Sequence, residues 1–351
     1  MRTLIIGGGA IGSTVAAYLT HAGAAVTMAD GWFHHVEAIR RDGLRVEAVE
    51  GDLVVAVDAI HLDDLDRAGP ADLVLIAGKS YDTRLFALLA REHLHDGTIV
   101  MSAQNGMNDA QVADIVGADR TEGCVVAMAA DLLDAGHVRR TSPESVSALT
   151  IGHLRPGDIR DLNLCAELLG ALGNVTVVDD LWPERWGKLC LNTMSNAMAG
   201  LTGLRSDQLW SDDAILDVVT ALAHETATVA AASGVSAAPV LGRIPHRTLL
   251  AAARRGNEAW REVLSAMQSV SAERVGKRGN RASLLQDIEK GRRTEIHHLN
   301  GWVAKRGHAL GVPTPTHARI VSDVEALEAY RRPPAVENAK SLIELVRRTY
   351  A

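Results

Sequence analysis

Lys188, Asn192 and Asn196 recur at intervals of four in "WGKLCLNTMSNAMAG", residues 186–200, a stretch of helical length. At about 100° per residue they share one arc with Ser195, while Leu189, Cys190, Met194, Ala197 and Met198 cover the other side. Asparagine costs roughly 0.5 kcal/mol against alanine inside a helix, so two amides beside one ammonium make an expensive wet face. The plainer alternative is an amphipathic surface helix with its polar side outward. The chemical alternative is a platform: an ammonium can protonate an oxygen that gains negative charge, and neighbouring amides can hold the molecule bearing it.

A second set lies in "RASLLQDIEKGRRTEIHHLNGWVAKRG", residues 281–307, which the pattern predicts to be part of one helix over about 283–310. Glu295, Leu299 and Trp302 fall at i, i+4 and i+7, placing a carboxylate on an apolar stripe. Such a carboxylate is costly unless paired, or unless it sits at the stripe's edge and reaches solvent. Lys188 is the unaccounted cation facing inward, so the expectation is a Lys188–Glu295 pair. Ser283 with Gln286 fits a capping box, which would place Ser283 at an anion-friendly helix start. The adjacent pairs His34–His35 and His297–His298 diverge too far to share a metal, and are read as structural or solvent-facing.

The elements that must position these residues fall into two halves. "RTLIIGGGAIGSTVAAYLTHAGAAVTMAD" reads as strand, glycine turn, helix and second strand. Gly7, Gly9 and Gly12 form G-x-G-x-x-G at the first junction, and Asp30 ends the second strand, which is the dinucleotide fingerprint in spacing and context. Gly7 permits the turn, Gly9 admits pyrophosphate and Gly12 lets the helix pack; Ala10 and Ile11 complete the expected cofactor contacts at the helix start. A carboxylate at Asp30 suits ribose hydroxyls and repels a 2′-phosphate, favouring NAD over NADP, although His34, His35, Arg40 and Arg41 offer material for a phosphate pocket.

Further strands are expected at "DLVVAV", "ADLVLIAG", "GTIVMSAQNG" and "EGCVVAM", with "VSALTIG" and "NVTVVD" as later strands of the same sheet. Lys79 and Asn105 each follow a strand end, where ligands of parallel sheets bind. After about residue 180 the pattern turns helical, over 184–200, 212–233, 247–274 and 283–310. The expected organisation is a dinucleotide-binding domain over 1–180 and an all-helical domain over 181–351.

Composition narrows the class. The 351 residues are 47% hydrophobic and 23% charged, with a net charge of −7, so nothing suggests a nucleic-acid or anionic-membrane partner. No uninterrupted apolar run approaches the roughly 18 residues of a membrane span. Three widely spaced cysteines suit neither a zinc site nor a disulfide framework, so no metal is expected and a cytoplasmic location is.

Taken together, "GGGAIGS", "GKSYDT", "QNGM", "WGKLCLN…N", "RASLLQDIEKGRRTEI…NG" and "GVPTP" occur in family order, and the chain resembles the ketopantoate reductase (2-dehydropantoate 2-reductase) family. The resemblance implies an α/β fold: an N-terminal Rossmann domain, then a helical substrate and dimerisation domain, paired as a homodimer. It implies reduction of a branched 2-keto acid to the D-2-hydroxy acid with NAD(P)H, and a place in pantothenate biosynthesis. Lys188 would be the general acid and Glu295 its partner. Asn192, Asn196 and Ser283 would hold the substrate at a cleft between the domains, and Asn105 and Lys79 would flank the nicotinamide. The chain departs from the family in four places. "MADGWFHH" replaces an arginine after the second strand, residues 237–265 are unusual, Asn108 stands where glycine is common, and a tail extends over about 331–351. These departures favour an alternative within the family, an NAD-dependent D-2-hydroxyacid dehydrogenase with another bulky substrate. A non-catalytic NAD(P)-binding redox sensor is the rival from another class.

Overall fold

The computed structural model of the chain describes residues 1–274 and 281–351. It divides into two compact units, Met1–Leu181 and Trp182–Ala351, where the sequence pattern puts the change at 180/181.

Twelve strands form in the first unit: β1 (Arg2–Ile6), β2 (Ala25–Asp30), β3 (Leu44–Glu47), β4 (Leu53–Val55), β5 (Asp58–His61), β6 (Leu73–Ile76), β7 (Ile99–Ser102), β8 (Thr121–Val126), β9 (Ala130–Asp134), β10 (His137–Arg140), β11 (Ser147–Gly152) and β12 (Asn174–Val178). Its helices are α1 (Ala10–His21), α2 (Phe33–Asp42), α3 (Thr83–Ala90), α4 (Asp109–Val116) and α5 (Asn163–Leu169). The main sheet runs β12-β11-β8-β7-β6-β1-β2-β5. Every neighbouring pair in it is parallel except β8 with β11.

Side-chain alternation explains why these strands are almost wholly apolar. Leu4, Ile6, Val74, Ile76 and Val100 point to one face, where Phe86 and Ala87 of α3 and Val112 of α4 cover them. Ile5, Leu73, Leu75, Ile99 and Met101 point to the other, against Val15 and Leu19 of α1. A parallel sheet buried on both faces needs this composition. One expectation changes here. "DLVVAV" is not a main-sheet strand: its β4 joins β3, β10 and β9 in a separate four-stranded sheet, and the short β5 takes the edge of the main sheet instead.

The second unit is helical: α6 (Trp182–Thr202), α7 (Ser206–Leu209), α8 (Asp213–Ala232), α9 (His246–Ala251), α10 (Glu258–Arg274), α11 (Ser283–Glu289), α12 (Asn300–Leu310), α13 (Pro315–Ala329) and α14 (Lys340–Thr349). The single helix expected over 283–310 is two helices. After α11 the chain turns through Gly291 at φ +62° and makes turns from Glu295 to Leu299. The 247–274 helix is likewise broken, between α9 and α10.

The C-terminal tail is integral to this unit. Tyr350 donates its hydroxyl to Glu225 Oε1 of α8 at 2.8 Å, while its carbonyl accepts the N–H of Arg255 at 2.7 Å. Its ring lies 5.6 Å from that of Trp260, whose indole N–H donates to Asp217. Glu225 also accepts the backbone N–H groups of Thr316 and His317, and burial raises its pKa. A buried carboxylate that loses one of three donors is left partly unsatisfied. Tyr350→Phe should therefore lower the free energy of unfolding by about 1–3 kcal/mol, read as a lower urea midpoint with an unchanged slope. An unchanged midpoint would show that the contact contributes nothing.

Candidate active site

The first unit presents one set of residues at the carboxyl edge of its sheet. Gly7 closes β1 at φ +109°, and a Cβ there would lie 2.5 Å from Gly78 N. A Cβ on Gly12 would lie 1.9 Å from Gly7 O, so α1 packs as close to the turn as backbone allows. Gly9, the N-cap of α1, differs: a Cβ there would meet nothing within 4 Å. An open, glycine-walled space before a helix N-terminus fits a pyrophosphate, which would meet the free N–H groups at Ala10 and Ile11 and the helix dipole.

Asp30 sits at the end of β2 and is not a free carboxylate. Its Oδ2 accepts Gly8 N–H at 2.6 Å and its Oδ1 accepts Trp32 N–H at 2.7 Å. The basic residues nearby are also engaged. His35 is fully buried, Arg40 binds the Ala59 carbonyl and pairs with Glu37 and Asp64, and Arg41 pairs with Asp42; His34 is exposed.

Lys79 and Asn105 lie in loops that the structure joins. Ser80 Oγ donates to Asn105 O at 2.9 Å, and the Gln104 amide donates to the carbonyls of Gly78 and Lys79 at 3.1 and 3.0 Å. Asn108 donates to Asn105 O at 2.8 Å and Ser80 Oγ at 3.2 Å, so its side chain staples the two loops. Sequence reasoning missed Ser80 and Gln104, although both stand inside the "GKSYDT" and "QNG" motifs.

A further group in this unit, Glu122, His153 and Asp158, has donor atoms within 4.8 Å of one another. Arg160 lies 3.8 Å from Glu122, and Arg155 pairs with Asp158, so the group is an ion-pair network with its own cations.

In the second unit α6 carries the other set. Its underside is fixed by close approaches: a Cβ on Gly200 would meet Leu284 Cδ2 at 2.1 Å, and one on Gly187 the Ala238 carbonyl at 2.8 Å. Leu189, Cys190, Met194, Ala197 and Met198 are all buried, as the arc predicts. Burial pushes the Cys190 thiol up to about 12, so it is an inert core residue. On the opposite arc Asn192 is buried, and Asn196 is half-buried and donates to Ser283 Oγ of α11 at 3.4 Å. Lys188 is half-buried, and desolvation lowers its pKa below the ordinary lysine value.

Two expectations fail. Ser283 is the first residue of α11 rather than its cap: the extended Ala282 takes the cap position, without a side-chain bond, and Gln286 donates to Arg281 O. The capping box is therefore absent, which leaves the Ser283 hydroxyl to Asn196. Glu295 is buried but lies in the turns between α11 and α12, because the helix ends before Gly291; the expected i, i+4, i+7 face does not exist. No carboxylate adds to the burial effect on Lys188, and no ion pair joins it to Glu295 among the described residues.

A buried polar chain holds α6 from beneath. His317 of α13 accepts the Asn300 amide at Nδ1 (3.2 Å), and Asn300 also donates to Thr193 O of α6 at 2.9 Å. The other ring nitrogen, Nε2, faces Thr226 Oγ1 and Leu222 O of α8 at 3.0 and 3.1 Å. Burial pushes His317 down to about 3, so the ring is neutral and each contact keeps its polarity. These residues gave no sequence signal beyond "NG" at 300–301.

A glycine cradle on a doubly covered parallel sheet, joined in one chain to a helical unit, is the arrangement of a nicotinamide-dependent oxidoreductase. Residues 3–155 match the family model described as "Ketopantoate reductase PanE/ApbA", and residues 180–328 match its C-terminal model. The chain belongs to the ketopantoate reductase family, and it is an enzyme. A 2-dehydropantoate 2-reductase of Halobacterium salinarum is 29% identical over 89% of this chain and 95% of its own. One of Archaeoglobus fulgidus is 26% identical over 93% and 98%. The crystal structure of a family member from Ralstonia eutropha superposes with a TM-score of 0.76 at 28% identity, covering 95% of this chain and all of that one. D-mandelate dehydrogenase with NADH and anilino(oxo)acetate shares the fold, with a TM-score of 0.80 at 22% identity over 94% and 99% of the two chains.

The two glycines of the turn separate packing from binding. Gly12→Ala should abolish stable folding of the first unit. Gly9→Ala should leave the melting temperature nearly unchanged but weaken dinucleotide binding by about tenfold or more, the loss of about 1.4 kcal/mol. Equal affinity in the Gly9 variant, measured by fluorescence titration, would place the pyrophosphate elsewhere.

Proposed function

We propose that this chain, an oxidoreductase of the ketopantoate reductase family, reduces a small branched 2-keto acid to the D-2-hydroxy acid, with NADH preferred to NADPH. The observation that carries this reading is the α6 face, where one desolvated lysine stands in register with Asn192 and Asn196, and Asn196 reaches Ser283. The second reading within the family, an NAD-dependent D-2-hydroxyacid dehydrogenase for another bulky substrate, draws its support from Asp30.

The nicotinamide, when bound, supplies a hydride to C2 of the keto acid. The protein's task is the charge that results. As the carbonyl becomes an alkoxide, Lys188 places a positive charge beside it and delivers a proton to the oxygen. Burial lowers the pKa of Lys188 and makes its ammonium a stronger acid than a surface lysine. Asn192, Asn196 and Ser283 supply neutral donors and acceptors for the substrate's carboxylate and hydroxyl oxygens. Glu295 remains in the proposed catalytic set: its neighbour Ile296 packs in the same core as Met194 and Met198, and Asn300 ties the following turn to Thr193. Lys79, Asn105 and the glycine turn hold the cofactor. A redox sensor would need the glycine turn but not this stripe.

The cofactor preference rests on Asp30 and on the engagement of its basic neighbours. Asp30 is held in place at the end of β2 by two backbone N–H groups, and Arg40 and Arg41 are already paired. NADH should exceed NADPH in kcat/KM by about tenfold, or roughly 1.4 kcal/mol. Because Asp30 also braces Gly8, Asp30→Ala should weaken both dinucleotides rather than only reverse the ratio. A higher kcat/KM with NADPH in the unaltered enzyme would overturn the preference.

Lys188→Met should lower kcat by about 10²-fold or more, while the dinucleotide Kd, set by the first unit, stays within about twofold. In the unaltered enzyme the rate should decline as pH rises through the lysine pKa, at a pH below the ordinary value of about 10.4, since burial moves that pKa down. Retention of most of kcat in a folded variant, with hydride transfer shown to be rate-limiting by a deuterium isotope effect, would remove Lys188 from the role of acid.

A further inference from the structure

The cofactor turn is braced from inside the first unit by a histidine that the reaction does not use. Gly8 is held on both sides: its N–H donates to Asp30 Oδ2 at 2.6 Å and its carbonyl accepts Ser13 Oγ at 2.7 Å. Ser13 Oγ lies 3.0 Å from His35 Nε2, and His35 Nδ1 accepts the N–H of Gly136 at 2.9 Å. Ser13 and His35 are both fully buried. Trp32 stacks on the imidazole at 5.4 Å with an interplanar angle of 5°, which fixes the ring plane.

The direction of every proton in this chain is determined. A backbone N–H only donates, so Nδ1 carries the lone pair toward Gly136. The imidazole is then neutral with its proton on Nε2, which donates to Ser13 Oγ. The Ser13 proton is left for the Gly8 carbonyl. Because a peptide unit is planar and trans, holding the Gly8 carbonyl also aims the Gly9 N–H the opposite way. The Gly8 N–H belongs to the preceding peptide, which Asp30 holds. Two successive peptide planes at the turn are thus locked, one by a carboxylate and one by the His35–Ser13 relay.

We infer that His35 is a positioning residue for dinucleotide binding, acting through Ser13 on the peptide that carries the Gly9 N–H, and that Gly136 of the β9–β10 turn sets its tautomer. The inference rests on the reading of the glycine turn as the cofactor site. The neighbours agree with a neutral ring. Asp30 of β2 is the carboxylate that acts on it, α1 brings the uncharged Ser13, and on the β9–β10 turn Asp134 accepts Ala135 N–H while His137 faces Glu47. Burial outweighs Asp30 and holds the imidazole pKa below its ordinary value. Protonation would put a second N–H against that of Gly136 and break the relay.

The test is binding of NADH to the purified full chain, followed by quenching of tryptophan fluorescence. His35→Ala and Ser13→Ala should each raise the Kd by about tenfold, the scale of one ordered hydrogen bond in a binding turn. His35→Gln should bind within about threefold of the unaltered chain, because an amide reproduces the acceptor–donor pair. Binding to the unaltered chain should weaken as pH falls below the ordinary imidazole range near 6.5, and the Gln variant should lack that component. Unchanged affinity in His35→Ala or Ser13→Ala would overturn the inference, as would a Gln variant as weak as the Ala variant. Failure of the unaltered chain to bind either NADH or NADPH would overturn the cofactor reading, and this inference with it.

Discussion

The 1.9 Å that would separate a Cβ on Gly12 from the Gly7 carbonyl is the tightest constraint in the first unit. No residue but glycine lets α1 start so close to β1, and that proximity fixes where the helix N-terminus points. Much else in the unit follows from it. The strand faces must be apolar on both sides because α1 covers one and α3 and α4 the other. The adjoining loops have to end in residues that can line the same edge, and Ser80, Gln104 and Asn108 tie the loops of Lys79 and Asn105 together there. A rigid scaffold of this kind lets an uncharged backbone turn recognise an anion.

The second unit solves a different problem, that of keeping a lysine and two amides on one helical face without letting the helix drift. Close packing at Gly187 and Gly200 holds α6 at both ends, and the Asn300–His317 pair holds its middle through Thr193. A buried imidazole kept neutral is a directional link, one acceptor and one donor, where a protonated ring would offer two donors. The same logic recurs at His35, so both units use a neutral buried histidine to orient backbone.

The glycine spacing, the apolar strands and the α6 arc were legible because each is a local pattern with a fixed period. The four-stranded sheet was not. Its strands are three to five residues long, too short for alternation to register, and its β3–β10 pairing joins residues about ninety apart. The break between α11 and α12 was hidden because "TEIHHLNGW" keeps helical spacing of apolar residues, while the turn at Gly291 is one glycine in a basic run. That single turn undid the expected Glu295 stripe. Ser283 looked like a cap from its distance to Gln286, yet the cap is decided by backbone angles, and Ala282 has them. The histidines that brace each unit left no pattern, since a buried ring is defined by partners far away in sequence, such as Gly136 for His35.

The stretches 237–265 and 331–351, which the sequence reading set apart from the family pattern, touch one another. Arg255 and Trp260 from the first meet Tyr350 from the second, and Asp217 of α8 takes both the Arg255 guanidinium and the Trp260 indole. Neither stretch has a complete set of partners without the other. Without the tail, Trp260 would lose the ring packed against it and the buried Glu225 would lose one of its three donors. Chimeras between members of the family should therefore exchange these stretches together, with Asp217 and Glu225 as the seats on which both rest.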